Sequence, residues 1–304
     1  MDVIRVDNLT IKYGNFTAVD DVSFTVKKGE IFGIIGPNGA GKTSTLECLE
    51  GLRVYSNGDI KILGENVHKR NHLYDKMGIQ LQETKFQDNI KVKELLSLYR
   101  TFYKNPANTD ELLKSFDLFN KKDDFVKKLS GGQRQKLAII LALIGNPDIL
   151  VLDEISTGLD PHARVQIWQK IKDLNQGGKT ILLTTHFMEE AEYLCDRVCL
   201  LVAGKIKASG TLNEMIAQAN LQIKITAYAH KEELEKLQST HIPENVKADW
   251  FDNQIVLTFK DVAQISTAMT WICSQIQIND IDLYKPKLED VFLKLTGAKL
   301  EDVQ

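Results

Sequence analysis

No apolar run in the 304-residue chain approaches the length of a membrane span, so a membrane process served by this protein needs another polypeptide for the crossing. The net charge of −3 supplies no basic surface for nucleic acid. Met1-Asp2-Val3-Ile4-Arg5 lacks a signal-peptide layout and reads as the start of a strand. The four cysteines, Cys48, Cys195, Cys199 and Cys273, are scattered with no C-x-x-C. That pattern argues against a zinc site or a disulfide frame and suggests buried thiols in a reducing cytoplasm. There is no low-complexity segment, long charge run or internal repeat. What remains is ordinary for a globular protein, at 43% apolar and 26% charged residues, with length for one large domain or two smaller ones.

One stretch stands out. Gly36-Pro37-Asn38-Gly39-Ala40-Gly41-Lys42-Thr43 fits G-x-x-x-x-G-K-[ST]. A short apolar run, Glu30 to Ile35, reads as the strand before it, and Thr43 to Leu49, starting with Thr43 and Ser44, as the helix after it. Glycines let the backbone wrap a polyphosphate, and the helix start adds its positive dipole end. Lys42 supplies a cation for the outer phosphates and Thr43 a hydroxyl for Mg²⁺.

Around that centre, residues 4–13 and 21–26 alternate in the strand manner, and Tyr13 is an aromatic placed to stack on a base or to pack at a sheet edge. Asn57-Gly58 predicts a hairpin turn between Val54-Tyr55 and Ile60–Leu63. From Val92 to Ile144 the period becomes helical, which predicts an insert. Ser130, followed by Gly131, Gly132 and Gln133, caps a helix and forms a second anion-binding start. Ile149 to Leu152 is an all-apolar strand ending in Asp153-Glu154, a carboxylate pair suited to a metal or an attacking water. Asp160 caps a helix begun by Pro161, with Val165, Trp168 and Ile171 as its apolar stripe. His186 ends the strand Thr180–Thr185, where open α/β sheets bind ligands.

Together these pieces resemble the nucleotide-binding subunit of an ABC transporter over about residues 1–215. Gly36–Thr43 matches the Walker A loop, Gln82 the Q-loop, and Leu129–Gln133 the family signature without a substitution. Ile149–Asp153 matches Walker B, Glu154 the catalytic acid, Leu159-Asp160 the D-loop and His186 the switch histidine. The family usually has proline where this chain has Ile155. The resemblance implies a P-loop NTPase core with an antiparallel β subdomain and a helical insert over about 86–146, and an ATPase using ATP and Mg²⁺. It implies that Tyr13 stacks on adenine and that Gly36 to Ser44 hold phosphates. Thr43, Gln82 and Asp153 would serve the metal. Lys42, Glu154 and His186 would act at the γ-phosphate. Ser130, Gly131, Gly132 and Gln133, with Asp160, would complete the site of a second cassette. The implied partners are a membrane-spanning permease and that second cassette, a copy or a relative, on the inner face of the cell membrane. Phe86 and Leu95 are candidates for the permease contact.

A second domain is expected over 217–304, in the order β-α-β-β-α-β of a ferredoxin-like fold. The closing phrase Lys287-Leu288-Glu289-Asp290-Val291-Phe292-Leu293 is similar to the tail of ABC-2-type exporter ATPases, which favours export. Competing classes are a soluble ABC ATPase acting on ribosomes or nucleic acid, and a regulator without turnover. The single cassette speaks against the first, and Glu154 with His186 against the second.

Overall fold

β1 (Asp2–Tyr13) and β2 (Phe16–Lys27) alternate buried and exposed residues, because one face of their hairpin meets the core. This is the start of the computed structural model, which describes residues 1–68, 75–81, 86, 87 and 89–297. β3 (Ile31–Ile35) is buried at every position, as a central parallel strand must be. α1 (Lys42–Leu49), β4 (Asn57–Ile62), β5 (Glu65–Asn66) and β6 (Met77–Gln80) follow. The helical insert comprises α2 (Val92–Arg100), α3 (Thr109–Ser115), two 3₁₀ turns and α4 (Gly131–Leu143). Then come β7 (Ile149–Asp153), α5 (Pro161–Gln176), β8 (Thr180–Thr185), α6 (Met188–Leu194), β9 (Arg197–Val202) and β10 (Lys205–Gly210).

The strands build two sheets: an antiparallel one ordered β2-β1-β4-β5 and a six-stranded one ordered β10-β9-β3-β8-β7-β6. In the second, β9, β3, β8, β7 and β6 run parallel and β10 closes the edge antiparallel. Alternation along β3 sends Phe32 and Ile34 toward α1 and the antiparallel sheet, while Ile31 meets the insert side with Leu150, Leu152, Ile181 and Leu183. This is the α/β P-loop core with its antiparallel subdomain. The carboxyl ends of β3, β7 and β8 lie side by side, and the site is built there.

Three local expectations are corrected. Asn57-Gly58 is no hairpin turn; both residues lie inside β4, which pairs with β1. A Cβ at Gly58 would sit 2.7 Å from the Asp7 carbonyl oxygen, so the glycine permits a close approach to the irregular middle of β1. On α5 the buried stripe is Ile167, Trp168 and Ile171, with Val165 exposed. Of the cysteines, Cys48 and Cys199 are buried, Cys195 half-buried and Cys273 exposed on a later helix.

The chain divides into two compact units between Thr211 and Leu212. The second contains α7 (Leu212–Gln218), β11 (Ile223–Tyr228), α8 (Lys231–Gln238), β12 (Lys247–Trp250), β13 (Gln254–Phe259), α9 (Gln264–Gln275), β14 (Asp280–Tyr284) and α10 (Leu288–Thr296). Its antiparallel sheet is ordered β12-β13-β11-β14, and α8 and α9 bury one face against Ile225, Leu257 and Phe259. α10 buries Leu288, Val291 and Phe292 and packs beside α7. Among the described residues no helix is long and apolar enough to cross a membrane.

Candidate functional site

The loop between β3 and α1 turns through positive φ at Gly39 and Gly41. At Gly41, φ is 101° and an added Cβ would lie 2.7 Å from the Ala18 carbonyl oxygen, so both conformation and space demand glycine. Lys42 opens α1 and folds back over the loop. Its Nζ donates to the carbonyls of Gly36 at 2.9 Å and Pro37 at 3.0 Å and lies 3.4 Å from Glu154 Oε1. Burial lowers its affinity for a proton, and Glu154 and Asp153 offset part of that.

The second half of the site comes from β7 and β8. Thr43 Oγ1 donates to Asp153 Oδ2 at 3.1 Å, and Thr184 Oγ1 donates to Asp153 Oδ1. Burial raises the Asp153 pKa and the two hydroxyls pull it back. Glu154 has φ 48°, an uncommon backbone for a non-glycine, held by its N–H donating to Thr184 O at 3.2 Å. Ile155, in the place of the family's proline, is fully buried, so packing holds the turn where a ring would. His186 Nδ1 stands 3.3 Å from Glu154 Oε1, within ion-pair range though not aligned for a directed hydrogen bond. Thr157 Oγ1 donates to Glu154 Oε2 at 3.2 Å. Burial pushes the Glu154 carboxyl up; His186, Lys42 and Thr157 pull it further down, to about 2. It is therefore an ionised carboxylate at neutral pH, lining the same cleft as the phosphate loop.

Thr43, in the first turn of α1, and Asp153, at the end of β7, offer hard oxygen donors. One carboxylate and one hydroxyl beside a phosphate cradle fit Mg²⁺, which keeps waters and substrate oxygens in its shell. Gln82, the third metal candidate, lies outside the described residues.

A cleft of about 400 Å³ runs outward from the loop. Asn38, Gly39, Gly41, Lys42, Thr43, Ser44 and Glu154 line its inner part, and Tyr13, Phe16 and Ala18 its outer part. Gly36, Pro37 and Ala40 complete the loop behind it. Phe16 was not singled out from sequence. Yet it is paired across the hairpin with Tyr13, so both rings share one face. The signal was there, two residues beyond Gly14.

Ser130, Gly131, Gly132, Gln133 and Asp160 do not line this cleft. Ser130 Oγ accepts from the Gln133 backbone N–H at 3.3 Å, while the Ser130 N–H donates to Gln133 Oε1 at 3.0 Å, a reciprocal cap on α4. Asp160 Oδ1 accepts from the Ala163 N–H at 3.0 Å. The two caps are neighbours: a Cβ on Gly132 would meet Ala163 Cβ at 3.2 Å. Ser130 and Gly131 are exposed, so this glycine-lined helix start faces outward. Leu95, a candidate contact residue, is buried in the insert core; Phe86 is half-buried against the same cluster.

Sequence reading also missed what ties the loops together. Glu190 on α6 is fully buried, and its Oε1 accepts from Ser156 Oγ and from Trp168 Nε1 at 2.7 Å. One carboxylate thus joins the segment after Glu154, α5 and the helix after His186. Glu50, at the end of α1, is 2% exposed with neither carboxylate oxygen hydrogen-bonded. Burial first, then the charges of Asp153 and Glu47, raise its pKa from 4.5 to about 7. Between those values the folded protein keeps the proton and the unfolded chain loses it, so stability falls as pH rises through that window. Glu50→Gln is expected to stabilise the protein at pH 8 by about 3 kcal/mol and to change little at pH 4. Thermal unfolding at the two pH values checks this; equal shifts at both would contradict it.

The model of the ABC transporter family matches residues 19–157. The Nod factor export ATP-binding protein I of Ralstonia nicotianae is 35% identical over 99% of this chain and 95% of its own length. The protein of that name from Rhizobium meliloti is 38% identical over 98% of this chain and 89% of its own. A solved ATP-binding subunit of an ABC transporter superposes with a TM-score of 0.66 at 30% identity, covering 72% of this chain and 94% of that one. A bacterial ABC transporter cassette solved as a dimer gives 0.62 at 27% identity, over 68% and 98%. The same cassette has been solved dimeric with ADP and Pi, at a TM-score of 0.61.

Proposed function

The chain belongs to the ABC transporter family as an ATP-hydrolysing subunit, and we propose that it drives export through a separate membrane-spanning permease, to which it docks on the cytoplasmic side. The observation that carries the chemistry is the convergence of Lys42, Thr43, Asp153, Glu154 and His186 at the ends of three parallel strands.

In this reading the loop N–H groups and Lys42 take the outer phosphates; Thr43 and Asp153, with Gln82, would hold Mg²⁺, whose charge would support the leaving group. Tyr13 stacks on the base. Glu154 accepts a proton from the water that attacks the γ-phosphorus, and the bond to the β-phosphate oxygen breaks to give ADP and phosphate. His186, beside Glu154, contacts the γ-phosphate. The outward-facing Ser130–Gln133 start, with Asp160 next to it, serves the nucleotide of a second cassette; the dimeric relative supports that pairing. For the permease, the support is a small apolar cleft of about 210 Å³ between β6 and the insert, lined by Met77, Ile79, Leu81, Tyr99 and Tyr103 among others. The relatives are named for Nod factor export; here the permease would select the cargo.

The test is co-purification. Tagged Glu154→Gln chain with MgATP, extracted from membranes in mild detergent, is expected to carry a multi-span polypeptide encoded with it. ATPase activity of the parent chain stimulated by ribosomes or DNA, with no membrane partner retained by the variant, would overturn the export reading.

A further inference from the structure

The aromatic wall of the nucleotide cleft is held by a cation. Arg53 Cζ lies 4.6 Å from the centroid of the Tyr13 ring, close enough for a cation–π contact. Tyr13 lines the cleft, and Arg53 is not among the described residues that do. The guanidinium covers one face of the ring, and a stacked base needs only the other.

Arg53 is itself anchored. Its backbone N–H donates to the Glu47 carbonyl at 3.0 Å as part of the cap that ends α1, and its Nε donates to Glu47 Oε2 at 2.5 Å. A guanidinium tied by backbone and side chain to one residue has little freedom left to lose. The far end of the tyrosine is fixed by the same helix: its hydroxyl shares a hydrogen bond with Ser44 Oγ at 2.9 Å. Ser44 and Glu47 are one turn apart on α1, so a single helix face grips the ring at its hydroxyl and over its plane.

From this geometry we infer that Arg53, locked by Glu47, is a positioning residue that sets the affinity for the nucleobase by bracing Tyr13. The inference rests on the reading that Tyr13 stacks on the base. Two physical effects make the brace matter. Tyr13 is 42% exposed, and a partly exposed ring loses side-chain freedom when a base lands on it; a ring already pinned loses less. A cation on one face also draws π density away from the other, which favours stacking of an electron-rich purine there. The phosphates lie at the other end of α1, so their grip does not pass through Arg53.

The effect should therefore depend on the base. Titration calorimetry of the full chain compares MgATP with magnesium tripolyphosphate, which carries the phosphates and no base. Arg53→Gln is expected to weaken MgATP binding about fivefold, leave tripolyphosphate binding unchanged, and leave kcat at saturating MgATP within about twofold. Arg53→Lys, keeping the charge without the planar cover, should fall between. In a Tyr13→Ala background Arg53→Gln should add nothing. Equal weakening of both ligands, no weakening of either, or an undiminished effect in the Tyr13→Ala background would overturn the brace. Tyr13→Ala by itself leaving MgATP affinity unchanged would overturn the base-stacking reading instead.

Discussion

Glu154→Gln is expected to bind MgATP about as well as the parent and to turn it over about 10²–10⁴ times more slowly. The amide fits the same space between Lys42 and His186 but cannot take the proton of the attacking water. The carboxyl is already ionised at neutral pH, held at about 2, so in the proposed mechanism the variant removes the proton acceptor itself. Phosphate release under saturating MgATP measures this. A rate within tenfold of the parent would mean that another group activates the water.

Ser130→Arg is expected to cut turnover at least about a hundredfold, the scale of losing one positioned donor to a developing charge, while each chain still binds nucleotide in its own cleft. Ser130 is exposed, and losing its cap costs only about 1 kcal/mol, so the fold survives. In the proposed pair, Lys42→Ala disables the opposite half of a composite site. Neither variant should work alone, yet a mixed dimer would contain one intact site, built from the loop of one chain and the signature of the other. Equal mixing should restore about a quarter of the parental rate, as expected for a symmetric pair. If the mixture stays as inactive as its components, the nucleotide is not shared in this way.

Much of this protein is legible in its sequence because the decisive pieces are local. Gly36 to Thr43 needs only eight consecutive residues to declare a phosphate loop, and the all-apolar Ile149–Leu152 announces a central strand whose tip carries two acids. Ser130 and Gln133 cap their helix through contacts three residues apart. What stayed hidden is made by tertiary contacts. Arg53 meets Tyr13 forty positions away, and Glu190 meets Ser156 and Trp168 through packing no spacing rule encodes. Thr184 reads as one more strand residue until β8 is laid beside β7 and its hydroxyl reaches Asp153. Asn57-Gly58 misleads for the same reason: its glycine answers to the backbone of β1, not to a turn. On α5, Val165 and Ile167 are both apolar, and only the packing tells which one faces inward.

Among the described residues, Lys42, Thr43, Asp153, Glu154 and His186 all lie in the first unit. In the proposed pair a triphosphate is held between two copies of the chain, and the mass of the complex in solution reports that directly. Light scattering of Glu154→Gln with MgATP should give about twice the 34.3 kDa of a single chain, reverting to the single mass when nucleotide is removed or Ser130→Arg is added. A single-chain mass at saturating MgATP, or a doubled mass indifferent to both nucleotide and Ser130, would contradict it.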